Sequence, residues 1–567
     1  MTRKSIFLFA LAPVLFALLI NPVFPASRAP VRGREAMVVS TSPFAADVGV
    51  EILRKGGNAV DAAVAVGFAL AVTHPSAGNI GGGGFMVLHL AEKNEEYTLD
   101  YREKAPSAAG RDMYLDEEGN LVEGLSTEGY LAGGVPGTVA GLHLAWQRFG
   151  SLPWKDLVKP AVRLAEEGFA VSYALSESLK RGGKRMSLYP ESSRIFLRDG
   201  DYYREGELFR QPELALTLSL IREEGPDGFY KGRTARLIAE DMERNGGLIT
   251  LADLVSYEAK FREPLRGNYR GLEVISMGPP SSGGTILVEM LNLMENFALS
   301  GTGQNSSDYI HLKTEIMRMA FADRAEYLGD SDFGHIPVKG LTSKQYAAEL
   351  APRIRKDWAA PSKTVSAGKP LGYESEETTH YSIVDKDGNG VAVTTTINWG
   401  YGSGVTIRGA GFLLNNEMDD FSSRSGVPNA FGLIQGEANE IAAAKRPLSA
   451  MTPTLVKKDK RLYLVLGSPG GPTIINTVFQ VLLNVVDFGM DMQEAVDAPR
   501  IHHQWMPDTL FAERETLAWD VEKALESRGH LIQVRDNIGD AHCIMIDNNG
   551  VRLGAPDPRT DSKAAGY

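Results

Sequence analysis

Cysteine is nearly absent from this sequence of 567 residues, and basic side chains are outnumbered by acidic ones. The single cysteine, Cys543, excludes an intrachain disulfide framework and any metal site built from several cysteines. The net charge of −12 argues against a nucleic-acid partner, because binding phosphates requires a basic surface. A composition that is 43% hydrophobic and 23% charged excludes a disordered, fibrous or polytopic membrane protein. The chain is therefore a globular protein, long enough for a large core.

Long apolar runs are also missing, with one exception near the N-terminus. Residues 6–20 are apolar and follow two basic residues at positions 3 and 4. This pattern is typical of a secretory signal peptide, which we place at residues 1–27. The run is shorter than the roughly 20 residues of a spanning helix, so no stable membrane span is expected. We predict a periplasmic or secreted protein; an uncleaved N-terminal anchor is the alternative, because Phe24 and Pro25 make a poor cleavage site.

Several common catalytic signatures are absent too. The sequence has no Gly-x-Ser-x-Gly elbow, no His-Glu-x-x-His motif and no Walker loop. The glycine run at 81–84 does not fit the dinucleotide fingerprint, since position 86 is methionine. The ten histidines stand singly apart from the pair at 502–503, which gives little support to metal ligation. We predict no metal ion and no other cofactor.

Helical and extended patterns alternate along the first third of the chain, and helical patterns dominate the middle. Asn58 caps a helix that ends at Thr73, with Asp61 completing a capping box. Residues 356–377 are polar and rich in Ser, Pro and Gly, which predicts an exposed linker. A β-hairpin is predicted directly after it, from Thr378–Asp385 and Val391–Ile397. Further predicted elements are a helix that Ser42 opens and that runs through Ala45 to Lys55, helices at 154–167, 234–245, 307–327 and 473–486, and strands at 85–90, 97–101 and 461–466.

The junction between linker and hairpin places a hydroxyl residue where it could become a nucleophile. If the chain were cut between Glu377 and Thr378, Thr378 would carry a free α-amine beside its own hydroxyl. An α-amine has a pKa near 8, so it can act as the general base for that hydroxyl without histidine or metal. By itself the pattern is weak, because a threonine that starts a strand is usually structural.

The motif that begins at Thr378 resembles the start of the small subunit in the γ-glutamyltranspeptidase (glutathione hydrolase) family. Other motifs of the family occur on both sides of Thr378, in the same order along the chain as in the family. The resemblance covers essentially everything after the signal peptide. The matching segments are Asp100–Pro106, Gly278–Gly284, Thr378–Asp385, Leu413–Phe421, Pro447–Ser449, Gly467–Gly471 and Asp557–Arg559. Taken together, these motifs are specific to the family.

The resemblance implies an α+β fold of the N-terminal nucleophile hydrolase type. This fold is a four-layer αββα sandwich, which two subunits cut from one precursor build jointly. Carried onto this chain, the cut gives a large subunit of residues 28–377, which contains the linker at 356–377, and a small subunit of residues 378–567.

The resemblance also assigns the catalytic residues. Thr378 matches the nucleophile, and the bond between Glu377 and Thr378 matches the cleavage site. Thr396 matches the hydroxyl that hydrogen-bonds the nucleophile, although a threonine in a run of three could equally be a β-strand residue. Gly470 and Gly471 match the glycines whose N–H groups stabilise the tetrahedral oxyanion.

The substrate-binding residues follow in the same way. Arg102 and Ser449 match the groups that bind the α-carboxylate of the γ-glutamyl unit. Glu417 and Asp420 match the acidic pair that holds its α-ammonium, with Asn398 as an added acceptor. Without the family, Arg102 could be a surface ion-pair residue, and the acidic motif could be a solvated turn.

Three positions depart from the family pattern. Ala450 follows Ser449 where a second serine is usual, Phe431 stands where lid-bearing members have tyrosine, and Pro472 replaces a small polar residue. These changes leave the catalytic residues in place and put strict glutathione specificity in doubt.

The predicted function is a self-processing γ-glutamyl hydrolase or transpeptidase. It would cleave γ-glutamyl amides such as glutathione through a γ-glutamyl-threonine acyl-enzyme and pass the acyl group to water, amino acids or peptides. One alternative is an amidase of the same fold acting on poly-γ-glutamate or on a β-lactam acyl side chain. A second alternative is an exported binding protein without activity.

Overall fold

The computed structural model describes residues 27–367, 379–422, 437–514 and 516–567. Their strands form two large sheets and three small ones. In chain order the strands are β1 Val31–Gly33, β2 Met37–Ser40, β3 Gly83–Leu90, β4 Glu95–Asp100, β5 Phe169–Ala170, β6 Leu197–Arg198, β7 Asp201–Tyr202, β8 Leu208–Phe209, β9 Lys260–Arg262, β10 Leu265–Tyr269, β11 Leu272–Ser276, β12 Thr379–Val384, β13 Gly390–Thr396, β14 Thr454–Lys458, β15 Arg461–Leu466, β16 Ile501–His502, β17 Leu510–Glu513, β18 Ile532–Arg535, β19 Cys543–Ile546, β20 Arg552–Ala555 and β21 Lys563–Gly566.

The α-helices of the described residues surround the two large sheets. In chain order they are α1 Pro43–Arg54, α2 Ala59–Thr73, α3 Thr138–Phe149, α4 Trp154–Glu167, α5 Tyr173–Met186, α6 Pro190–Phe196, α7 Pro212–Glu224, α8 Asp227–Tyr230, α9 Gly232–Asn245, α10 Leu251–Val255, α11 Gly283–Met294, α12 Ser307–Tyr327, α13 Val338–Leu341, α14 Lys344–Leu350, α15 Thr473–Val486, α16 Met492–Asp497 and α17 Trp519–Ser527. None of these helices combines the length and apolar character that a membrane crossing requires.

Each large sheet has seven antiparallel strands. Sheet I has the order β21-β2-β12-β13-β3-β4-β9, and sheet II has the order β1-β20-β19-β15-β14-β11-β10. Both orders place strands that precede residue 377 beside strands that follow it, so each sheet depends on both halves of the chain.

Apolar side chains point to both faces of the strands in the two large sheets. The sheets therefore share one apolar core between them, and each packs a further core against its helices, which gives four layers. In β3, Phe85 and Val87 face the core between the sheets, while Met86 and Leu88 face the helices over sheet I. In β15, Val465 faces the middle core, and its neighbours face the helices over sheet II. Successive side chains of a strand point to opposite faces, so a strand buried on both sides feeds two cores. The predicted αββα sandwich is confirmed.

Local signals in the sequence predict several elements well. Asn58 accepts hydrogen bonds from the Val60 and Asp61 amides, and Asp61 accepts from the Asn58 amide, which is the predicted capping box. The helices predicted at 154–167, 307–327 and 473–486 have those bounds in the structure. The hairpin is also present: β12 ends one residue earlier than predicted, and β13 has the predicted length but is shifted by one residue toward the N-terminus.

The prediction of an exposed linker at 356–377 agrees with most of its described residues, 356–367, but two of them are buried. Ser362 is completely buried and Ala359 nearly so, and residues 362–364 form a turn of 3₁₀ helix. The polar composition suggested solvent, but the backbone and hydroxyl groups here bond to distant residues instead. Residues 368–377 lie outside the described part of the chain.

We expect the middle core to carry much of the stability. Leu455→Ala deletes a fully buried side chain between the sheets, which should lower the free energy of unfolding by about 2–5 kcal/mol. Leu188→Ala makes the same chemical change at a side chain that is 63% exposed, and should change it by less than about 0.5 kcal/mol. Denaturant unfolding of both variants checks this, and equal losses would show that the middle core is not tightly packed.

Candidate active site

The end of β13 provides the first part of the site. Thr379 opens β12 and pairs with Thr395 of β13, so Thr396 is the residue just beyond the last described pair. Thr396 is fully buried, and its hydroxyl oxygen accepts a hydrogen bond of 2.7 Å from the amide of Asn398. The predicted nucleophile Thr378 and its neighbour Glu377 lie outside the described residues.

The glycine run at 81–84 allows chain segments to meet closely at this end of sheet I. A Cβ on Gly82 would lie 2.0 Å from the Thr396 carbonyl oxygen, and a Cβ on Gly81 would lie 2.1 Å from the Leu413 oxygen. No side chain fits at such distances, so glycine is required for close backbone approach. The run therefore brings the end of β13 and the loop around residue 413 together.

Two asparagines hold the acidic turn in place. Asn415 accepts hydrogen bonds from the amides of Gly134 and Glu417 and donates to the carbonyl oxygens of Gly81 and Gly134. Asn416 accepts from the amide of Trp399 and donates to the Thr127 carbonyl. These bonds fix the 3₁₀ turn Glu417–Asp420, which is buried. The alternative of a solvated turn is wrong.

Arg102 follows β4 and reaches into the same turn. Its side chain is 1% exposed and forms ion pairs with Glu417, at 2.6 Å between Nη1 and Oε2, and with Asp420. The guanidinium also donates to the carbonyl oxygens of Pro447 and Leu448. A third carboxylate, that of Glu103, lies 3.6 Å from Nη1. A surface ion pair is therefore ruled out for Arg102.

The cluster of Arg102, Glu103, Glu417 and Asp420 holds three carboxyl groups against one guanidinium. Burial opposes the charge on Arg102, but the three carboxylates outweigh it and raise its pKa, so the guanidinium stays charged. Burial raises the pKa of Glu103 to about 8, against the opposing effect of Arg102. Burial likewise raises the pKa of Glu417 well above its ordinary range, with Glu103 and Asp420 adding to the effect. The cluster therefore has a surplus of acidic groups, which suits an incoming cation.

Asn398 lies between the end of β13 and the acidic turn. Its side-chain nitrogen donates to the Asn416 carbonyl at 3.0 Å, and its backbone has φ of 69°, a conformation that asparagine tolerates. Among the described residues its Oδ1 is buried and has no hydrogen-bond partner. A buried acceptor without a donor is unfavourable, and a ligand ammonium would satisfy it.

Ser449 lies next to the carbonyls that bind Arg102. Its hydroxyl accepts from the Met451 amide at 3.2 Å, and its amide donates to the Pro280 carbonyl. Both Ser281 and Ser282 donate hydroxyl hydrogen bonds to the Ser449 carbonyl. This segment is thus anchored on both sides, so the Ser449 hydroxyl has a fixed position.

Ala450 is completely buried and belongs to the apolar core between sheet II and its helices. Its carbonyl accepts from the Thr452 hydroxyl at 2.8 Å. The loss of the usual hydroxyl at this position is thus accommodated by apolar packing. Phe431, another of the three departures from the family pattern, lies outside the described residues.

The predicted oxyanion glycines lie between β15 and α15. Gly470 has φ of 125° and Gly471 has φ of 63°, conformations that favour glycine. A Cβ on Gly467, in the same loop, would lie 2.1 Å from the ring of His380, the second residue of β12. The glycine loop therefore contacts the strand that follows Thr378. Because α15 begins at Thr473, amide groups of a helix N-terminus are also directed here.

The structure brings most of the predicted residues into one region. Thr396 and Asn398 are hydrogen-bonded, Asn398 is bonded to the turn that carries Glu417 and Asp420, and Arg102 joins that turn to Ser449's segment. Sequence reasoning did not assign roles to Glu103 and Asn415. Both lie inside motifs that were recognised, so adjacency to Arg102 and Glu417 was the available signal.

One group of described residues could in principle hold a metal ion, namely His311, Glu315 and His530. His311 already bonds the Arg355 carbonyl through Nε2 and His530 through Nδ1. Both carboxylate oxygens of Glu315 accept hydrogen bonds, from Arg318 and from the Ala360 amide. The group is thus accounted for as a hydrogen-bond network and lies outside the candidate site.

Comparison with known proteins gives a consistent answer. The gamma-glutamyltranspeptidase family matches residues 45–567. The glutathione hydrolase proenzyme of Escherichia coli (strain K12) is 49% identical over 540 residues, covering 95% of this chain and 93% of that protein. The structure of cephalosporin acylase from Bacillus halodurans is 28% identical, with a TM-score of 0.86, and covers 98% of this chain and 99% of that one. The structure of Helicobacter pylori gamma-glutamyltranspeptidase is 49% identical, with a TM-score of 0.57, and covers 58% of this chain and 94% of that one.

The family match, the Escherichia coli relative and the cephalosporin acylase structure extend over most of the chain, and they agree with the four-layer architecture. The predictions of an N-terminal nucleophile hydrolase fold and of a hydrolase or transferase enzyme are confirmed. By sequence and by structure, the chain belongs to the gamma-glutamyltranspeptidase family.

Proposed function

We propose that this enzyme cleaves itself at Glu377–Thr378 and then transfers γ-glutamyl groups from amides such as glutathione to water, amino acids or peptides. The observation that carries the proposal is the buried cluster of Arg102, Glu417 and Asp420 beside the unpartnered oxygen of Asn398. A γ-glutamyl unit carries one α-carboxylate and one α-ammonium. A guanidinium next to surplus carboxyl groups matches both of these charges.

Self-cleavage uses the hydroxyl that later becomes the nucleophile. Oγ of Thr378 attacks the Glu377 carbonyl carbon, the peptide C–N bond breaks, the hydroxyl proton passes to the departing nitrogen of Thr378, and an ester joins Glu377 to the Thr378 side chain. Water then hydrolyses the ester and leaves a carboxylate on Glu377 and a free α-amine on Thr378. This amine is the general base for the following reaction.

Turnover repeats the same chemistry on the substrate. The α-amine takes the proton from Oγ as Oγ attacks the γ-carbonyl carbon, and the resulting ammonium protonates the leaving amine as the C–N bond breaks. Water or an acceptor amine then attacks the acyl-enzyme and releases Thr378. Gly470 and Gly471 donate their N–H groups to the oxyanion in both steps, and one such donor contributes about 3–4 kcal/mol. Thr396 holds the nucleophile.

Recognition of the substrate requires exchange of partners within the cluster. Arg102 pairs with Glu417 and Asp420, and we assign its second role to the substrate carboxylate, with Ser449 as a neutral donor. The substrate ammonium then takes the place of the guanidinium on Glu417 and Asp420 and also donates to Asn398. The charges remain balanced, so burial of the zwitterion is not prohibitive.

A second candidate is an amidase acting on another acyl group, such as a β-lactam side chain. The apolar packing at Ala450 favours it, because one hydroxyl is missing from the segment that should bind the α-carboxylate. A profile of kcat/KM over glutathione, glutamine, poly-γ-glutamate and a glutaryl cephalosporin separates the two candidates. An inactive binding protein would instead remain one chain.

We further propose that the precursor is exported to the periplasm or secreted and that residues 28–377 and 378–567 are its mature subunits. The signal-like sequence at residues 1–27 supports export. The mixing of strands from both halves in each sheet supports subunits that stay associated after cleavage.

Self-cleavage is tested by the Thr378→Ala variant. The variant should remain one chain because the attacking hydroxyl is gone, while the wild-type protein should yield a fragment whose N-terminus is Thr378. Intact mass and N-terminal sequencing measure both. A wild-type protein that has γ-glutamyl transferase activity while it remains an uncleaved full-length chain would contradict the proposal.

Carboxylate recognition is tested by Arg102→Lys. Lysine keeps the charge but cannot form the planar, two-pronged contact, so kcat/KM for a γ-glutamyl anilide should fall by about 10- to 100-fold. Arg244→Lys makes the same change at a half-exposed surface ion pair and should leave kcat/KM unchanged. Equal values of kcat/KM for the two variants would show that Arg102 does not bind the substrate carboxylate.

The raised pKa values of Glu103 and Glu417 predict a pH-dependent KM. Glu103 ionises as the pH approaches about 8, and a rising pH also favours the charged form of Glu417, whose pKa burial raises well above its ordinary range; both changes strengthen ammonium binding. KM for a γ-glutamyl anilide should therefore fall by about 3- to 10-fold from pH 6 to pH 8.

Glu417→Gln keeps an oxygen acceptor but removes a titrating carboxyl, so it should flatten this dependence of KM. Titration of the Thr378 α-amine affects kcat and is read separately. An unchanged pH profile of KM in Glu417→Gln would assign the titration to another group.

A further inference from the structure

The segment that precedes the proposed cleavage site is held by an extensive set of hydrogen bonds. We define residues 355–365 as the strap. Its last residue lies twelve positions before Glu377, and one of its residues, Ser362, is completely buried. The strap has almost no regular secondary structure, so its backbone groups need partners from elsewhere in the fold.

One wall that holds the strap is a polar face of α12. His311, Glu315 and Arg318 are spaced four and three residues apart, which places them on the same side of the helix. His311 bonds the Arg355 carbonyl at 2.6 Å, and Glu315 accepts from the Ala360 amide at 3.2 Å. Arg318 donates to the Ser362 hydroxyl at 2.6 Å. All three side chains are buried.

The opposite wall comes from the part of the chain that follows Thr378. The Trp505 indole N–H lies 3.0 Å from the Ser362 carbonyl oxygen and 2.9 Å from that of Val365. Asp508 accepts from the Ser362 amide at 2.8 Å and is also paired with Arg318. The Ala359 amide donates to the Arg528 carbonyl at 2.8 Å. Both halves of the precursor therefore bind the strap.

The location of these bonds gives the strap a consequence for cleavage. Thirteen residues, 366–378, separate the strap from β12, the strand that follows the nucleophile. If the strap were undocked, the stretch of chain between β12 and the nearest residue held by these hydrogen bonds would lengthen from 13 to 24 residues, 355–378. Loop-closure entropy alone would slow the meeting of its ends by only about threefold. Any larger effect must come from orientation of the chain that leaves the strap.

We propose that Trp505 and Asp508 are positioning residues for self-cleavage, because they dock the strap and so direct the scissile segment toward Thr378. This inference rests on the proposed self-processing at Glu377–Thr378. Neither residue has been assigned to the substrate pocket. Their effect should therefore appear in maturation of the precursor and not in turnover by the mature enzyme.

The test uses the double variant Trp505→Phe/Asp508→Asn, which removes the indole donor and the carboxylate charge while keeping the sizes of both side chains. The control is Trp519→Phe/Asp536→Asn, which makes the same changes at a tryptophan that is 75% exposed and an aspartate side chain that is 82% exposed. Full-length chains are made by cell-free synthesis, and the rate constant of conversion to two fragments is measured on gels.

Docking of the strap is measured separately, in the Thr378→Ala background, where the chain stays uncut. Trypsin should leave the bond after Lys363 intact when the strap is docked and cleave it when the strap is released, because proteases require an unfolded backbone. If the double variant leaves Lys363 protected, Ser362→Pro, which removes both the amide N–H and the hydroxyl, is measured in the same way.

The expected result is release of the strap, a processing rate at least about tenfold lower, and unchanged kcat and KM once processing is complete. The control should match the unchanged protein. The proposal would be overturned if the strap were released and processing slowed by less than about threefold. The longer segment between the strap and β12 would by itself explain a change of that size. It would also be overturned if mature kcat fell in parallel, or if neither variant released the strap.

Failure of the proposed function gives a different result. In that case the chain without any substitution would not cleave at Glu377–Thr378 at all. If that chain cleaves normally and the double variant cleaves equally fast, the proposed function stands and only the role of Trp505 and Asp508 in positioning is contradicted.

Discussion

A buried arginine surrounded by three carboxyl groups is the constraint on which the candidate site depends. Moving one ion of this kind from water into a protein interior costs several kcal/mol unless it is paired and hydrogen-bonded. Arg102 meets this requirement with Glu417 and Asp420 and with two carbonyl oxygens of residues 447 and 448. These partners come from two separate stretches of chain, residues 417–420 and 447–448, so each must be held in a fixed position.

The surrounding structure supplies that rigidity. The glycine run at 81–84 lets the end of β13 and the loop near residue 413 approach at distances that no side chain would allow. Asn415 then ties this junction to the acidic turn through four hydrogen bonds. The two large sheets form the base of the arrangement, because both are buried on both faces and neither can shift without opening an apolar core.

The same architecture reconciles cleavage with stability. A cut before Thr378 would leave strands from both products interleaved in sheet I, where β12 and β13 lie between β2 and β3. Separation of the products would expose two large apolar cores, which is strongly unfavourable. The strap adds polar contacts across the same division, with α12 on one side and residues 505–528 on the other. Self-cleavage can thus create a new N-terminus without dissolving the fold.

Many helices and strands, and the family, could be predicted from the sequence because the interactions and motifs that decide them are local. The capping box of Asn58 and Asp61 predicted α2, and the extended segments Thr378–Asp385 and Val391–Ile397 predicted the hairpin. Helices α4, α12 and α15 were predicted with their observed bounds. The motifs and their order identified the family, and through that resemblance the candidate site residues were assigned, because short runs of sequence carry that information.

The tertiary structure decided what depends on partners far apart in the chain. Arg102 and Asp420 are separated by 318 residues, so no local pattern could show that Arg102 is buried in an acidic cluster rather than exposed. The same holds for the linker, whose polar composition predicted solvent, whereas its first part is bound by Trp505 and Asp508 about 145 residues later. Composition and periodicity describe a residue's neighbours along the chain, but burial and pairing are set by neighbours in space.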